Sequence, residues 1–120
     1  MNDIANRSRT YEWQAPLMNN DIFHQMDGKT YLQSIIDGQH HVSPMAQTMG
    51  LSLTDVDDGY AVYTVTPAEY HYNPIGVVHG GLAATLFDTA LSSAIITQLP
   101  VGKMCATVEL HVHYLRALTT

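Results

Sequence analysis

Residues 81–98, with the sequence GLAATLFDTALSSAIITQ, constrain the fold of this chain more than any other segment. The segment has no proline and no glycine after Gly81, and Pro100 and Gly102 follow it, so it predicts one long helix. Alanines are spread along it, which lets a neighbouring sheet approach closely. Because a helix this apolar has to be buried by other elements, we expect the rest of the chain to wrap around it.

Two other segments predict β-strands. The segment LSLTDVDDGYAVYTVTP is typical of a hairpin, because runs rich in β-branched and aromatic residues flank the turn signal Asp57-Asp58-Gly59. The segment MCATVELHVHYL alternates apolar and polar residues and predicts a third strand after the helix. This order predicts an α+β fold, a curved antiparallel sheet wrapped around one long central helix. Three strands are too few to cover such a helix, so we expect C-terminal strands to be missing from this chain or supplied by a partner.

The chain is expected to divide into a leader and one domain. Residues 1–28 are polar and irregular and predict a mobile N-terminal leader with one short helical turn. Residues 29–120 are expected to form a single domain, incomplete at its C-terminus. Within it, KTYLQSIIDGQ predicts a short amphipathic helix that stops at Gly38, and PMAQTMG predicts another closed by Gly50.

Charge and composition exclude several classes of partner. The net charge is −6 and the five basic residues form no cluster, so we expect no nucleic-acid partner. No apolar run is long enough to cross a bilayer and the N-terminus lacks the apolar core of a signal peptide, so we expect a cytoplasmic protein without membrane insertion. The single cysteine, Cys105, excludes an internal disulfide.

The histidines do not predict a metal site. His111 and His113 share a strand face at a spacing compatible with metal binding, but no further ligand is in view, so a polar interface face is the preferred interpretation. We expect neither a metal nor a cofactor. His40, His41 and His71 fall in predicted loops and are expected to be solvated.

The entrance to the long helix, His79-Gly80-Gly81, is a candidate site. A helix N-terminus offers unpaired N–H groups and the positive end of a dipole. Two glycines let a ligand atom reach those amides, which suits a phosphate or a carbonyl oxygen that gains negative charge during a reaction. The alternative interpretation is that the glycines only permit a tight turn into the helix.

Asp88 is the only charge between Glu69 and Lys103, and it lies within the apolar helix. It shares a helical face with Gly81, Thr85 and Ser92, which are therefore candidate substrate-binding residues. A poorly hydrated carboxylate there suits a general base, whereas a structural aspartate bonded to neighbouring hydroxyls is the alternative.

The distance between the helix entrance and Asp88 indicates how many copies of the chain a catalytic site would need. Gly80 and Asp88 are eight residues apart, which is about 12 Å along one helix. A base and an oxyanion donor must both lie within about 3 Å of one reacting centre. If the site is catalytic, two antiparallel copies of the helix should therefore share it.

The segment YNPIGVVHGGLAATLFDTA resembles the signature of the hotdog-fold acyl-CoA thioesterases, particularly the phenylacetate-degradation (PaaI-like) branch. That signature is Asn-x5-His-Gly-Gly-x6-7-Asp, and each marked residue is present. Weaker similarity runs from SPMAQTMGLSL to CATVELHVHYLRAL, about two thirds of the chain. The resemblance implies a hotdog fold, a helix wrapped by five or six antiparallel strands, and homodimers that often pair into homotetramers.

The resemblance also implies residue roles. Asp88 matches the catalytic carboxylate, which activates the attacking water or attacks the thioester itself. The amide of Gly80 and the side chain of Asn73 match the groups that assist at the thioester carbonyl. His79 matches the histidine beside the reacting sulfur. Thr107 matches a hydroxyl residue that holds the water. Strand alternation places it opposite the apolar face, so it reaches the site only if the start of the strand is irregular or faces a partner subunit.

The function implied is hydrolysis of acyl-CoA thioesters with a hydrophobic or aromatic acyl group, giving free acid and CoA. The alternatives are a hotdog dehydratase or hydratase acting on thioester-linked acyl chains, and a non-catalytic acyl-CoA-binding protein. The low number of cations does not support CoA binding, and Lys103 and Arg116 are the only nearby candidates for its phosphates.

Overall fold

The computed structural model describes residues 4–16 and 22–119, without the side chain of Phe23. Four helices and two strands occur in this part of the chain: α1 (Ile22–Gln25), α2 (Gly28–Ile36), α3 (Pro44–Met49), β1 (Ser52–Asp57), β2 (Tyr60–Thr64) and α4 (Gly80–Ile96). A 3₁₀ turn, Glu69–His71, precedes α4. None of the helices in these described ranges is long and apolar enough to cross a membrane.

The two predicted short helices are confirmed, with capping residues at their ends. The Asp27 carboxylate accepts the Thr30 N–H at 2.8 Å before α2, and α2 ends just before Gly38, whose φ is +83°. Ser43 caps α3 in the same way, and Gly50 closes it with φ +78°. Because a positive φ strains any residue with a side chain, glycine at these two positions fixes where the helices stop.

The predicted hairpin is also confirmed. Strands β1 and β2 pair antiparallel, with Ser52 opposite Thr64 and Asp57 opposite Tyr60. The register shifts between Leu53 and Asp55, which leaves one extra residue in β1. This bulge lets Leu53 and Val56, three residues apart, both face the core, where regular alternation would expose one of them.

Helix α4 packs across the hairpin, as the sequence predicts, although it begins at Gly80 and ends at Ile96. The Tyr63 hydroxyl lies 3.0 Å from the Ser93 hydroxyl, and Thr97 accepts the Gly59 N–H at 2.8 Å. Burial raises the pKa of Tyr63, so the phenol stays neutral within the core. The buried apolar residues form two clusters: Ala46, Leu51, Val78 and Leu82, and Leu32, Leu53 and Val56.

The predicted third strand is wrong for the single chain. Residues 103–119 contain neither helix nor strand, and Val108 and Leu115 are 97% and 95% exposed. The alternating pattern is present, but a strand also needs a neighbour to accept its N–H and C=O groups. In the described part of the chain the sheet has only β1 and β2, and neither lies beside this segment.

One face of α4 is left uncovered by the described residues. Phe87, Leu91 and Ile95 recur every four residues and are 51%, 56% and 54% exposed. This spacing places them on one stripe of the helix, which we name the α4 stripe.

The N-terminal segment, residues 4–16, contains no helix or strand and lies against the domain. The Arg7 side chain pairs with Glu69 at 2.9 Å, and Gln47 of α3 accepts the Gln14 N–H at 3.2 Å. Helix α1 is the single turn expected in the leader, while residues 1–3 and 17–21 of the leader lie outside the described residues. The mobility of the leader and the boundary at residue 28 stay predictions.

Candidate active site

His79 caps the N-terminus of α4. Its Nδ1 atom accepts the N–H of Gly81 at 2.8 Å, so this amide is occupied. Because Nδ1 acts as an acceptor, the neutral ring carries its hydrogen on Nε2. The exposed imidazole therefore offers an N–H donor at the mouth of the helix.

Gly80 provides the unpaired amide that the sequence predicts. No described residue accepts its N–H, whereas its carbonyl accepts the Tyr114 hydroxyl at 2.6 Å. A Cβ at position 80 would lie 3.2 Å from the Tyr114 ring, so the contact with Tyr114 also favours glycine here. A free amide at the positive end of a helix can stabilise an oxyanion.

Asn73 shapes the loop that leads into α4. Its Oδ1 accepts the N–H groups of Ile75 and Val77, both at 3.1 Å. The side-chain NH₂ has no acceptor among the residues that the structure describes. Asn73 can therefore hold the loop with its oxygen and donate to a ligand with its nitrogen.

Asp88 lies half-buried in the middle of α4, and one of its oxygens is held. The Thr107 hydroxyl donates to Asp88 Oδ1 at 2.7 Å, and Ser92 lies 3.4 Å from the Thr107 oxygen. Oδ2 has no donor in the described part of the chain. The carboxylate is thus oriented through one oxygen while the other is free to accept a proton or to attack.

Thr107 reaches Asp88 because the segment around it is irregular. Strand alternation places Thr107 opposite the apolar face, so the expectation was that it reaches the site only if the start of the strand is irregular or faces a partner subunit. Since residues 103–119 do not form a regular strand, the backbone turns the Thr107 hydroxyl onto Asp88.

Two cavities follow one another along the predicted substrate face of α4. Gly81 and Thr85 line the first, of about 360 Å³, and Asp88 and Ser92 line the second, of about 470 Å³. The Thr85 hydroxyl donates to the Gly81 carbonyl at 2.8 Å, which leaves its oxygen lone pairs toward a ligand. A third cavity, of about 350 Å³, lies beside Gly80 and includes Asn73 and Arg116.

The structure separates the two halves of the predicted site within one chain. Gly80 and Asp88 belong to one continuous helix, so about 12 Å of helix axis lies between them. The first half holds Asn73, His79 and Gly80, and the second holds Asp88 with Thr107. The catalytic roles of these residues, and the sharing of sites between copies, stay predictions.

His71 corrects another expectation. The sequence placed it in a solvated loop, but it is 6% exposed. Its Nδ1 accepts the Ala68 N–H at 3.1 Å, and its Nε2 lies 2.9 Å from the Met49 carbonyl. The His71 carbonyl in turn accepts the His79 N–H at 2.8 Å. This buried ring therefore joins α3 to the loop that positions His79, a contact for which the sequence carries no periodic signal.

Comparison with known proteins shows similarity to thioesterases and esterases over parts of the chain. Residues 75–120 match the sequence model of the thioesterase superfamily. A candidate esterase from Halobacterium salinarum is 37% identical over 95 residues, which span 75% of this chain and 60% of that protein, less than two thirds of its length. The crystal structure of a candidate thioesterase from Ralstonia eutropha JMP134, a phenylacetic acid degradation-related protein, is similar with a TM-score of 0.67. That similarity covers 74% of this chain and 69% of the crystallised one, at 25% identity. These findings confirm the resemblance drawn from the sequence: the chain has the hotdog fold, and its residues 75–120 are similar to the thioesterase superfamily.

Proposed function

We propose that this protein hydrolyses acyl-CoA thioesters with a hydrophobic or aromatic acyl group, at sites shared between two copies of the chain. The observation that carries the proposal is the hydrogen bonding of the two Asp88 carboxylate oxygens. Thr107 orients one oxygen at 2.7 Å, and the other has no donor among the described residues. The match of residues 75–120 to the thioesterase superfamily supports thioester hydrolysis, and the acyl-CoA substrate is our extension of it.

The proposed reaction divides the work between the two halves of the site. The free oxygen of Asp88 takes a proton from water as the water attacks the thioester carbonyl, or it attacks that carbon itself. The Gly80 amide donates to the carbonyl oxygen as negative charge develops, with the Asn73 amide beside it. We assign the Nε2–H of His79 to the departing sulfur, the role that the resemblance implies for it. Collapse of the tetrahedral intermediate breaks the C–S bond. After attack by water it releases the acid, and the proton taken up by Asp88 passes to the sulfur of CoA. After attack by Asp88 it releases the thiolate and leaves a mixed anhydride on Asp88, which water then hydrolyses to release the acid.

Sharing of sites follows from the length of helix between these groups. A carbonyl cannot contact Gly80 and Asp88 of one helix at once, since about 12 Å separates them. Two antiparallel α4 helices related by a two-fold axis bring Gly80 of one copy to Asp88 of the other. The exposed α4 stripe supports such packing, because a contiguous apolar surface marks a contact site. We propose a homodimer as the minimal active unit, with pairing into a homotetramer as its extension.

A thiol-release assay tests the proposal. The protein is incubated with a short panel of aliphatic and aromatic acyl-CoAs, free thiol is measured with a thiol-reactive dye, and products are separated by chromatography. We expect equal amounts of free CoA and carboxylic acid from at least one aromatic or medium-chain member.

Two other results would contradict the proposal, and they differ in the assay. Formation of an enoyl thioester without free thiol would identify a dehydratase or hydratase. Tight binding of acyl-CoA with no product of either kind would identify a non-catalytic binding protein.

A further inference from the structure

The first cavity, of about 360 Å³, is lined by a positive charge and, among the described residues, no negative one, although the chain as a whole is acidic. It lies at the N-terminus of α4, where His79, Gly81 and Thr85 line it. Arg9 and Tyr11 of the N-terminal segment form part of its wall. No aspartate or glutamate is among the described residues that line it. The positive end of α4 and the Arg9 guanidinium therefore act on the same space, and the described lining residues include no carboxylate.

Arg9 is held by stacking, which leaves its hydrogen-bond donors unused. Its guanidinium carbon lies 3.9 Å from the centre of the Tyr70 ring and 4.5 Å from that of Tyr11. Stacking uses the flat faces of the guanidinium, so the N–H groups on its edges remain free. Across residues 4–16 and 22–119, no hydrogen-bond acceptor and no carboxylate pairs with Arg9.

The other cations in the described part of the chain pair with carboxylates or lie outside this cavity. Arg7 pairs with Glu69 at 2.9 Å. Lys29 pairs with Asp57 at 3.0 Å and with Asp58 at 2.9 Å, and these bonds raise the pKa of Lys29. Lys103 and Arg116 do not line the first cavity. Arg9 is thus the cation that the fold places in this cavity without an internal counter-ion.

We propose that the first cavity binds an oxyanion group of the substrate and that Arg9 is the residue that holds it. This inference rests on the proposed function and extends it to a binding residue outside the signature. The N–H groups of a guanidinium match paired oxygens, which a CoA phosphate and a carboxylate on the acyl group both offer. The N-terminal segment, through Arg9, supplies the positive charge that the signature region lacks.

The test compares the parent protein with Arg9→Gln on three substrates: phenylacetyl-CoA, phenylacetyl-pantetheine, and 4-carboxyphenylacetyl-pantetheine. If a phosphate is the anion, Arg9→Gln raises KM about tenfold for the CoA ester and leaves both pantetheine esters unchanged. If an acyl carboxylate is the anion, the rise is confined to the carboxylated ester. A similar rise for all three substrates would show a structural role, and an unchanged KM for all three would show no role; either result overturns the proposal.

Arg7→Gln is the matched control, because it removes a positive charge two residues away that already pairs with Glu69. We expect it to keep the parent's KM values, and a tenfold rise like that of Arg9→Gln would overturn the assignment to Arg9.

If the parent hydrolyses none of the three esters, the proposed function fails, and binding of the same compounds is measured by calorimetry. Binding of an anionic compound about tenfold weaker in Arg9→Gln alone would still support the cavity's role; equal affinities, or no binding by the parent, would overturn it.

Discussion

Replacement of Asp88 with asparagine is expected to lower kcat for thioester hydrolysis by about 10²–10⁴-fold. Asparagine keeps an oxygen that can accept the Thr107 hydroxyl, which donates to Asp88 Oδ1 at 2.7 Å in the parent. It cannot take a proton from water or attack a carbonyl. The loss should therefore fall on kcat, with little change in KM, and steady-state thiol release measures both.

Asp55→Asn is the control for this prediction. Asp55 is an exposed carboxylate in β1, so its substitution removes the same charge away from the site. We expect parental kcat from Asp55→Asn, and thermal unfolding within a few degrees of the parent for both variants. A folded Asp88→Asn protein with kcat within tenfold of the parent would refute the assignment of Asp88.

Replacement of Gly28 with alanine is expected to destabilise the fold by about 3 kcal/mol. Gly28 begins α2 and lies against the end of α4, where its N–H donates to the Leu99 carbonyl at 3.0 Å. A Cβ at this position would lie 1.8 Å from the Ile96 carbonyl oxygen, which is backbone and cannot rotate away. The two helices would have to separate, and urea unfolding followed by circular dichroism measures the cost.

The direction of this effect distinguishes tertiary packing from local preference. Helix propensity alone predicts that alanine stabilises this position by up to about 1 kcal/mol. Gln33→Ala, at an exposed position of the same helix, should change stability by no more than about 0.5 kcal/mol. A Gly28→Ala protein as stable as the parent would mean that the close approach of α2 to α4 is wrong.

Local signals account for the parts of the fold that the sequence predicted well. Helices α2 and α3 each begin with a side chain that accepts a backbone N–H three residues later. Each ends close to a glycine with positive φ, so both signals lie within one turn of the helix end. The hairpin depends on the turn at Asp58-Gly59 between two strand-forming runs. Because such interactions involve neighbours in sequence, the pattern of residue types is enough to predict them.

The failures involve contacts between distant parts of the chain. Residues 104–115 have the alternation of a strand, but alternation does not show whether a partner strand is present beside them. Leu53 and Val56 both face the core only because of a bulge, which the hairpin signal did not reveal. Gly28 lay at the predicted border of the leader, with no sign that it contacts α4.

The candidate site, like the fold, was predicted from the sequence only in part. The signature placed Asn73, His79, Gly80 and Asp88 around α4, and the structure shows which of their donors and acceptors are free. The signature also named Thr107, on the condition that the start of its strand is irregular or faces a partner subunit, and the irregular segment does bring its hydroxyl to Asp88. No sequence signal indicated Arg9, which lies more than sixty residues before the α4 residues of its cavity.

Complementation between two inactive variants tests the shared site most directly. Asp88→Asn removes the carboxylate, and Gly80→Pro removes the unpaired amide. Proline is tolerated at the first residue of a helix, and His79, at φ −62° and ψ 133°, already has the conformation that proline requires before it. The proline Cβ would lie 3.2 Å from the Tyr114 ring, which is 56% exposed and has room to shift by the few tenths of an ångström needed. We expect Gly80→Pro alone to lower kcat by about 10²–10³-fold.

The two variants, carrying different tags, are then co-expressed, and the mixed assembly is purified and assayed for thiol release. In a mixed dimer one site combines the intact Gly80 of one copy with the intact Asp88 of the other. A random mixture of dimers should therefore recover about a quarter of the parental activity, and purified mixed dimers about half. Mixed dimers no more active than either variant alone would contradict a catalytic site built from Gly80 of one copy and Asp88 of another.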